Sequence, residues 1–200
     1  MTDNFTLFDE PRRPWLDAER LKEKFLALSA QAHPDRQHGA AEAVRNEASR
    51  RFSELNAAYN CLHDPKERLR HLLELERGAK PKDIERIPDE LLEYFAKVGN
   101  LGRNIDAFLL ERANVTSPIL KVQWFERGQD WTDKINALQN RINTRLNALD
   151  AELKTLNPVW ESTADRSALP LDRLEAIYRL LGYFGRWTAQ LQERLVRLAI

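Results

Sequence analysis

A single cysteine, Cys61, stands in 200 residues, which excludes an internal disulfide and any cysteine-built zinc or iron–sulfur site within one chain. No apolar run approaches the ~20 residues that a membrane-crossing helix needs. Met1-Thr2-Asp3-Asn4-Phe5 has neither the basic region and apolar core of a signal peptide nor the Arg-rich, acid-poor character of a mitochondrial presequence, so a cytoplasmic location is expected. There is no excess of charge of either sign. Lys+Arg and Asp+Glu both total 31, which argues against whole-chain binding to nucleic acid or to an anionic membrane. Glycine is scarce, at seven residues, and neither a phosphate-cradling loop nor a Gly-x-Ser-x-Gly elbow occurs. The histidines, His33, His38, His63 and His71, fall into no metal-ligand spacing. His38 reads as a loop residue, and His63 and His71 as helix-end or surface residues. Cys61 reads as a plain buried or half-buried thiol. The carboxylates are those of solvated helix faces. The chain is therefore expected to be no enzyme and to hold no metal or cofactor.

What is present is helical periodicity. Hydrophobic residues make up 42% and charged residues 31%, as suits a helical protein with real cores. Leu21, Phe25 and Leu28 recur at steps of four and three, and Ala48, Phe52, Leu55, Tyr59 and Leu62 continue in the same way. Each set is one apolar stripe on a helix. Asp17 is a suitable N-cap for the first. Proline disfavours helical geometry in the residue before it, so Pro34 predicts an extended His33 and a helix ending near Ala32. The connection from Pro34 to about Gly39 is short, so the two helices should run antiparallel, with Gln31-Ala32-His33-Pro34-Asp35-Arg36 at the tip. Asp64-Pro65 stops the second helix and opens a third, which carries Leu69, Leu72, Leu73 and Leu75 and stops at Gly78. Phe5-Thr6-Leu7-Phe8, closed off by Pro11 and Pro14, is expected to lay Phe5, Leu7 or Phe8 against the hairpin.

The His33-Pro34-Asp35 tip, with Phe52-Ser53-Glu54-Leu55-Asn56-Ala57-Ala58-Tyr59 and Leu62-His63-Asp64-Pro65, resembles the J-domain family of Hsp70 co-chaperones. The segment Asp64-Pro65-Lys66-Glu67-Arg68-Leu69-Arg70-His71-Leu72-Leu73-Glu74-Leu75 and Phe5-Thr6-Leu7-Phe8 narrow the resemblance to the HscB/Jac1 type, which serves iron–sulfur cluster assembly. The resemblance implies docking of His33, Pro34, Asp35 and Arg36 on an Hsp70 of the HscA or DnaK kind. It also implies steering by a basic face of Arg20, Lys22 and Lys24. Leu26 and Ala27 stand where many J-domains have Lys-Arg, and Ala32 where an aromatic often precedes the histidine, so a thinner electrostatic contact is expected.

Gly78-Ala79-Lys80-Pro81-Lys82-Asp83 breaks the periodicity. The sequence divides into a J-domain at 1–78, a linker at 79–87 and a helical bundle at 88–200. Pro88-Asp89-Glu90 starts a helix carrying Leu91, Leu92, Phe95, Val98, Leu101, Ile105, Phe108 and Leu109, with Gly99 and Gly102 marking a kink or a close helix contact. Ser117-Pro118 starts another, which Gly128 is expected to bend or interrupt. It then carries Ile135, Leu138, Ile142, Leu146, Leu149, Leu153 and Leu156 in a near-heptad seam, and ends at Asn157-Pro158. Residues 159–171 read as a loop. Asp172 and Glu175 have capping-box spacing before a last stripe of Leu174, Ile177, Leu181, Phe184, Leu191, Leu195 and Leu198. The expected fold is all-α, a J-domain helical hairpin followed by an antiparallel three-helix bundle, with an extended coiled-coil dimer as the alternative.

In the HscB-type resemblance the bundle carries the client, an iron–sulfur scaffold protein. The implied client-binding residues are Leu91, Leu92, Phe95, Arg179 and Leu180. Ala96 and Gly99 stand where that family has glutamates. Two other functions stay open: a J-domain co-chaperone for a different client, and a degenerate J-like interaction scaffold.

Overall fold

The structure, a computed structural model, describes residues 2–33, 41–81, 87–113 and 117–199. Among the described residues there are seven α-helices and no strand. The helices are α1 (Asn4–Leu7), α2 (Ala18–Ala32), α3 (Glu42–His63), α4 (Pro65–Arg77), α5 (Leu92–Ala113), α6 (Pro118–Ser162) and α7 (Leu171–Ala199). Short 3-10 turns occupy Asp89–Leu91 and Arg166–Ala168. Among the described residues no helix is long and apolar enough to cross a membrane, and no group of three His, Cys, Asp or Glu is placed to hold a metal ion.

The chain forms two compact units. Met1–Lys82 joins with Asp150–Tyr178 in one, and Asp83–Leu149 with Arg179–Ile200 in the other.

In the first unit α2 and α3 form the antiparallel hairpin. Phe25 stacks on Tyr59 with ring centroids 4.3 Å apart, and His33 meets Phe52 edge-on at 5.4 Å, so numbers rise along one helix as they fall along the other. The Asp17 carboxylate accepts from the Arg20 amide at 3.0 Å and caps α2. Asp64 serves two helices. Its amide donates to the Asn60 carbonyl at the end of α3, and its carboxylate accepts from the Glu67 amide at 2.8 Å to start α4. Gly78 ends α4 in the left-handed region, at φ 71°, where a Cβ would be strained. From α1, Phe5 and Phe8 enter the core, as expected of that patch; Leu7 is half-buried.

Residues 150–178 belong to this unit because of specific polar contacts with its N-terminal and α4 segments. The Asn157 amide accepts from the Trp15 backbone N–H at 3.0 Å and donates to the Trp15 carbonyl at 2.9 Å. The Trp15 indole N–H donates to Asp150 at 3.1 Å. Arg77 binds both Asp172 and Glu175, and Arg166 binds Glu76. The sequence division at 78 and 88 therefore differs from the compact units, which are built by contacts distant in sequence.

Three local readings are corrected here. First, α6 does not end at Asn157-Pro158; it runs to Ser162, and residues 159–171 hold its last turn and a 3-10 turn. Pro158 removes one helical hydrogen bond near the end of α6, an interior cost of about 3 kcal/mol in general. Burial of Trp160 and the Asn157 clamp favour the extra turn. Second, Asp172 and Glu175 do not form a capping box. The helix already begins at Leu171, and both carboxylates face Arg77. Third, of the two roles expected of Gly128, interruption of α6 does not occur.

In the second unit α5, α6 and α7 pack as a three-helix bundle. Glu93 meets Arg141 and Phe108 meets Trp124, so α5 and α6 are antiparallel. Tyr94 packs on Phe184 and Trp187, and Asp106 pairs with Arg194 and Arg197, so α5 and α7 run parallel. Val98, Ile105, Ile135, Ile142, Phe184 and Leu191 fill the core. Gly102 is a close contact, as one of the two expected roles had it. A Cβ there would lie 3.1 Å from the Arg194 guanidinium.

Candidate functional site

The hairpin tip is the first candidate. His33 is the C-cap of α2, with φ −63° and ψ 128°, extended as its following proline requires. Its ring is exposed and leans edge-on against Phe52 of α3. The contact ties the imidazole to the hairpin and restricts its rotamers. Pro34, Asp35 and Arg36 lie outside the described residues.

The outward side of α2 is less basic than its sequence suggests. Arg20 and Lys22 are exposed. Lys24 is half-buried, pairs with Glu10 at 2.5 Å, and donates to the carbonyls of Phe8 and Asp9 at 3.3 and 3.0 Å. Glu10, itself buried, also accepts from Arg13 at 3.3 Å. Lys24 thus fastens the segment after α1 to α2 and is not an open steering charge. Behind the hairpin, Arg68 is buried and donates to the carbonyls of Pro14 at 2.9 Å and Leu62 at 2.7 Å. Burial lowers its pKa to about 10, so it stays charged at neutral pH. His71 is also buried, a correction to its surface reading. Its Nε2 accepts from the Asn4 amide at 3.0 Å, its ring stacks on Phe5, and burial lowers its pKa. Cys61 is half-buried, with its pKa raised by that burial.

These buried polar groups lie among the leucines of α4. Leu69, Leu72 and Leu73 together with Arg68, His71 and Glu74 are buried, so α4 is covered over most of its circumference. The closely spaced leucines were the available signal, since burying both sides of a helix also buries the charges between them.

The second candidate is the exposed start of the bundle. The expected client residues divide. Leu92 and Phe95 are 50% and 52% exposed, whereas Leu91 and Leu180 are each 1% exposed and belong to the core. Leu91 is in helical phase with the buried Val98, Ile105 and Leu109; Leu92 lies one residue out of that phase. Arg179 is half-buried. The expected five-residue face is thus narrowed to Leu92 and Phe95 among its apolar members. Glu93, beside them, is engaged by Lys97 at 2.5 Å and Arg141 at 3.0 Å, whose hydrogen bonds hold its carboxyl below the usual range.

Comparison with known proteins bears on the hairpin. Residues 13–71, which contain the hairpin and most of α4, match the model of the DnaJ domain. Among curated proteins, the co-chaperone protein HscB homolog of Paraburkholderia phymatum is 39% identical over 72 residues, covering 36% of this chain and 41% of that protein. The homolog of Chromobacterium violaceum is 31% identical over 110 residues, covering 52% and 63%. Over that stretch this chain is similar to the J-domain of HscB co-chaperones. The matched stretch spans about two-fifths of the length of the first of those relatives and under two-thirds of the second. The likeness of fold runs further. Chaperone HscB from Vibrio cholerae covers 95% of this chain, and 99% of its own length, at TM-score 0.51 and 23% identity. Human co-chaperone protein HscB covers 98% of this chain and 81% of its own length at TM-score 0.58 and 18% identity. The all-α reading, a J-domain hairpin with a helical bundle, is therefore the observed fold.

Proposed function

We propose that this protein is an Hsp70 co-chaperone that stimulates Hsp70 ATP hydrolysis and delivers a client, an iron–sulfur cluster scaffold protein. The carrying observation is the J-domain match over 13–71 with His33 presented at the exposed end of α2, on a chain whose named relatives are HscB co-chaperones. The protein performs no bond chemistry itself. Asp35 accepts charge-assisted hydrogen bonds from an arginine of the Hsp70, and His33 and Pro34 belong to the same contact. Arg36, with Arg20 and Lys22, supplies charge at the margin. The partner hydrolyses its own ATP, and docking shifts it towards the hydrolysis-competent state. The bundle presents Leu92 and Phe95 to the client.

Single-turnover ATPase assays with HscA-like and DnaK-like Hsp70s test the trigger. His33→Gln and Asp35→Asn should abolish stimulation with unchanged helicity by circular dichroism. Stimulation that survives both substitutions refutes it.

A second reading keeps the trigger and changes the client. It is favoured by the burial of Leu91 and Leu180 and by Ala96 and Gly99 standing where acidic residues are expected. Binding of the wild-type protein to purified iron–sulfur scaffold proteins separates the two, since no binding leaves only the other client.

A further inference from the structure

The exposed side of α5 extends well beyond Leu92 and Phe95. At 3.6 residues per turn, Leu92, Gly99, Arg103 and Leu110 fall within about 20° of a single line along the helix, with Ala96 and Ala107 beside it. Leu92 and Phe95 are half exposed and Leu110 is 71% exposed, while Ala96, Arg103 and Ala107 lie open and Gly99 is half-covered. From Leu92 to Leu110 the stripe measures about 27 Å, the length of a five-turn helix. Large apolar side chains thus stand at both ends, small residues lie between them, and a cation sits near the middle. The separation of the two apolar ends matches the length of a five-turn partner helix.

Charge identifies what the face takes. Of the other charges along it, Glu90 pairs with Arg145, Glu93 with Lys97 and Arg141, and Asp106 with Arg194 and Arg197, while exposed Glu111 stands beside Leu110 at one end. Arg103 meets no carboxylate among the described residues. Its guanidinium lies beside Gly99, where a Cβ would be 3.7 Å from Nη1, and it donates to the Asn100 side-chain carbonyl. Most of its five N–H donors therefore remain available. A second copy of this chain is a poor occupant. A two-fold axis at the middle of the stripe would set the two Arg103 residues about 6 Å apart along the helix axis, like charge against like.

We propose that the α5 face docks an amphipathic helix of a client protein, with apolar residues meeting Leu92, Phe95 and Leu110 and a carboxylate in the middle meeting Arg103. This rests on the reading of the bundle as the client-carrying module and adds the class of segment it receives. Ala96, Gly99 and Ala107 let the incoming helix approach closely, and Arg103 sets its register, because only one placement pairs the charges while covering both apolar ends.

The test uses the full chain and two fluorescein-labelled, hydrocarbon-stapled 18-residue helices. They share one leucine/alanine stripe and differ only in a central Glu or Lys. By fluorescence anisotropy the Glu helix should bind wild type at least tenfold more tightly than the Lys helix. Arg103→Glu should reverse the preference, and Leu110→Ser should weaken the Glu helix several-fold. Equal binding of both helices, binding of neither, or a preference that survives Arg103→Glu overturns the inference. Hsp70 ATPase stimulation measured on the same Arg103→Glu protein should equal wild type. Loss of stimulation in wild type itself would sink the proposed function and leave the peptide result as it stands.

Discussion

Replacing Asn157 tests whether residues 150–178 are an integral part of the J-domain unit. The Asn157 side chain is buried and makes two hydrogen bonds to one residue, accepting from the Trp15 amide and donating to its carbonyl. A neutral hydrogen bond contributes a net ~1 kcal/mol, and leaving a buried partner unsatisfied costs ~1–3 kcal/mol. Trp15 is half-buried, so water can reach part of what alanine exposes. Asn157→Ala should therefore cost about 2 kcal/mol, towards the sum of two net bonds and well below two full desolvation penalties. Asn157→Asp sharpens the argument. It keeps an acceptor for the Trp15 amide but turns a carboxylate towards the Trp15 carbonyl, so it should cost at least as much as alanine although it is nearly isosteric. The assay is equilibrium urea unfolding followed by circular dichroism, read as a shift of midpoint at constant slope. A change below about 0.5 kcal/mol for both variants, the level of an ordinary surface substitution, would show that the clamp does not hold residues 150–178 to the N-terminal segment.

Two further substitutions probe the buried polar groups. Arg68→Met should destabilise by about 2 kcal/mol in the same urea assay. The carbonyls of Pro14 and Leu62 lose their donor, and relief of a buried charge offsets only part of that loss; a neutral or stabilising result would refute the role of this bond pair. His71 gives a pH signature. Burial lowers its folded pKa below the ordinary value of 6.5, so the unfolded chain binds the proton more readily. Its contribution is complete above about pH 6.5 and declines as pH falls from there towards the folded pKa. The charges of Asp3 and Glu74 oppose this burial effect, and those of Arg70 and Arg12 add to it. In urea titrations from pH 7.5 to 5, His71→Gln should remove this part of the slope, and an unchanged slope would refute the assignment.

The hairpin was legible because its signals are local. Asp17, Pro34 and Asp64-Pro65 act on neighbours within four residues, and α2 begins and ends, α3 ends and α4 begins where those residues require. Pro158 was misleading for the complementary reason. Its local effect is real, but α6 continues past it, where Trp160 is buried and Asn157 is clamped to a residue 142 positions away. No periodicity records such a contact. Asp172 and Glu175 are a similar case, with a spacing that fits a cap and a distant Arg77 that engages both. The split among the expected client residues follows from sequence phase. Leu91, Val98 and Ile105 recur every seven residues, and that phase already assigns Leu91 to the core and leaves Leu92 outside.

The electrostatics of α2 follow the same logic and bear on the proposed docking. Read along the helix, Arg20, Lys22 and Lys24 make a basic face. In the folded chain Lys24 is held by buried Glu10 and two backbone carbonyls, while Glu19 and Glu23 stay exposed beside Arg20 and Lys22. Two exposed cations against two exposed carboxylates leave little long-range field, and what remains is screened within about 8 Å at physiological salt. Steering of a diffusing partner requires such a field; holding a docked one does not. In the proposed complex the burden therefore falls on short-range contacts at the end of α2. There the Phe52 contact fixes the His33 ring, so part of the tip is ordered before the partner arrives.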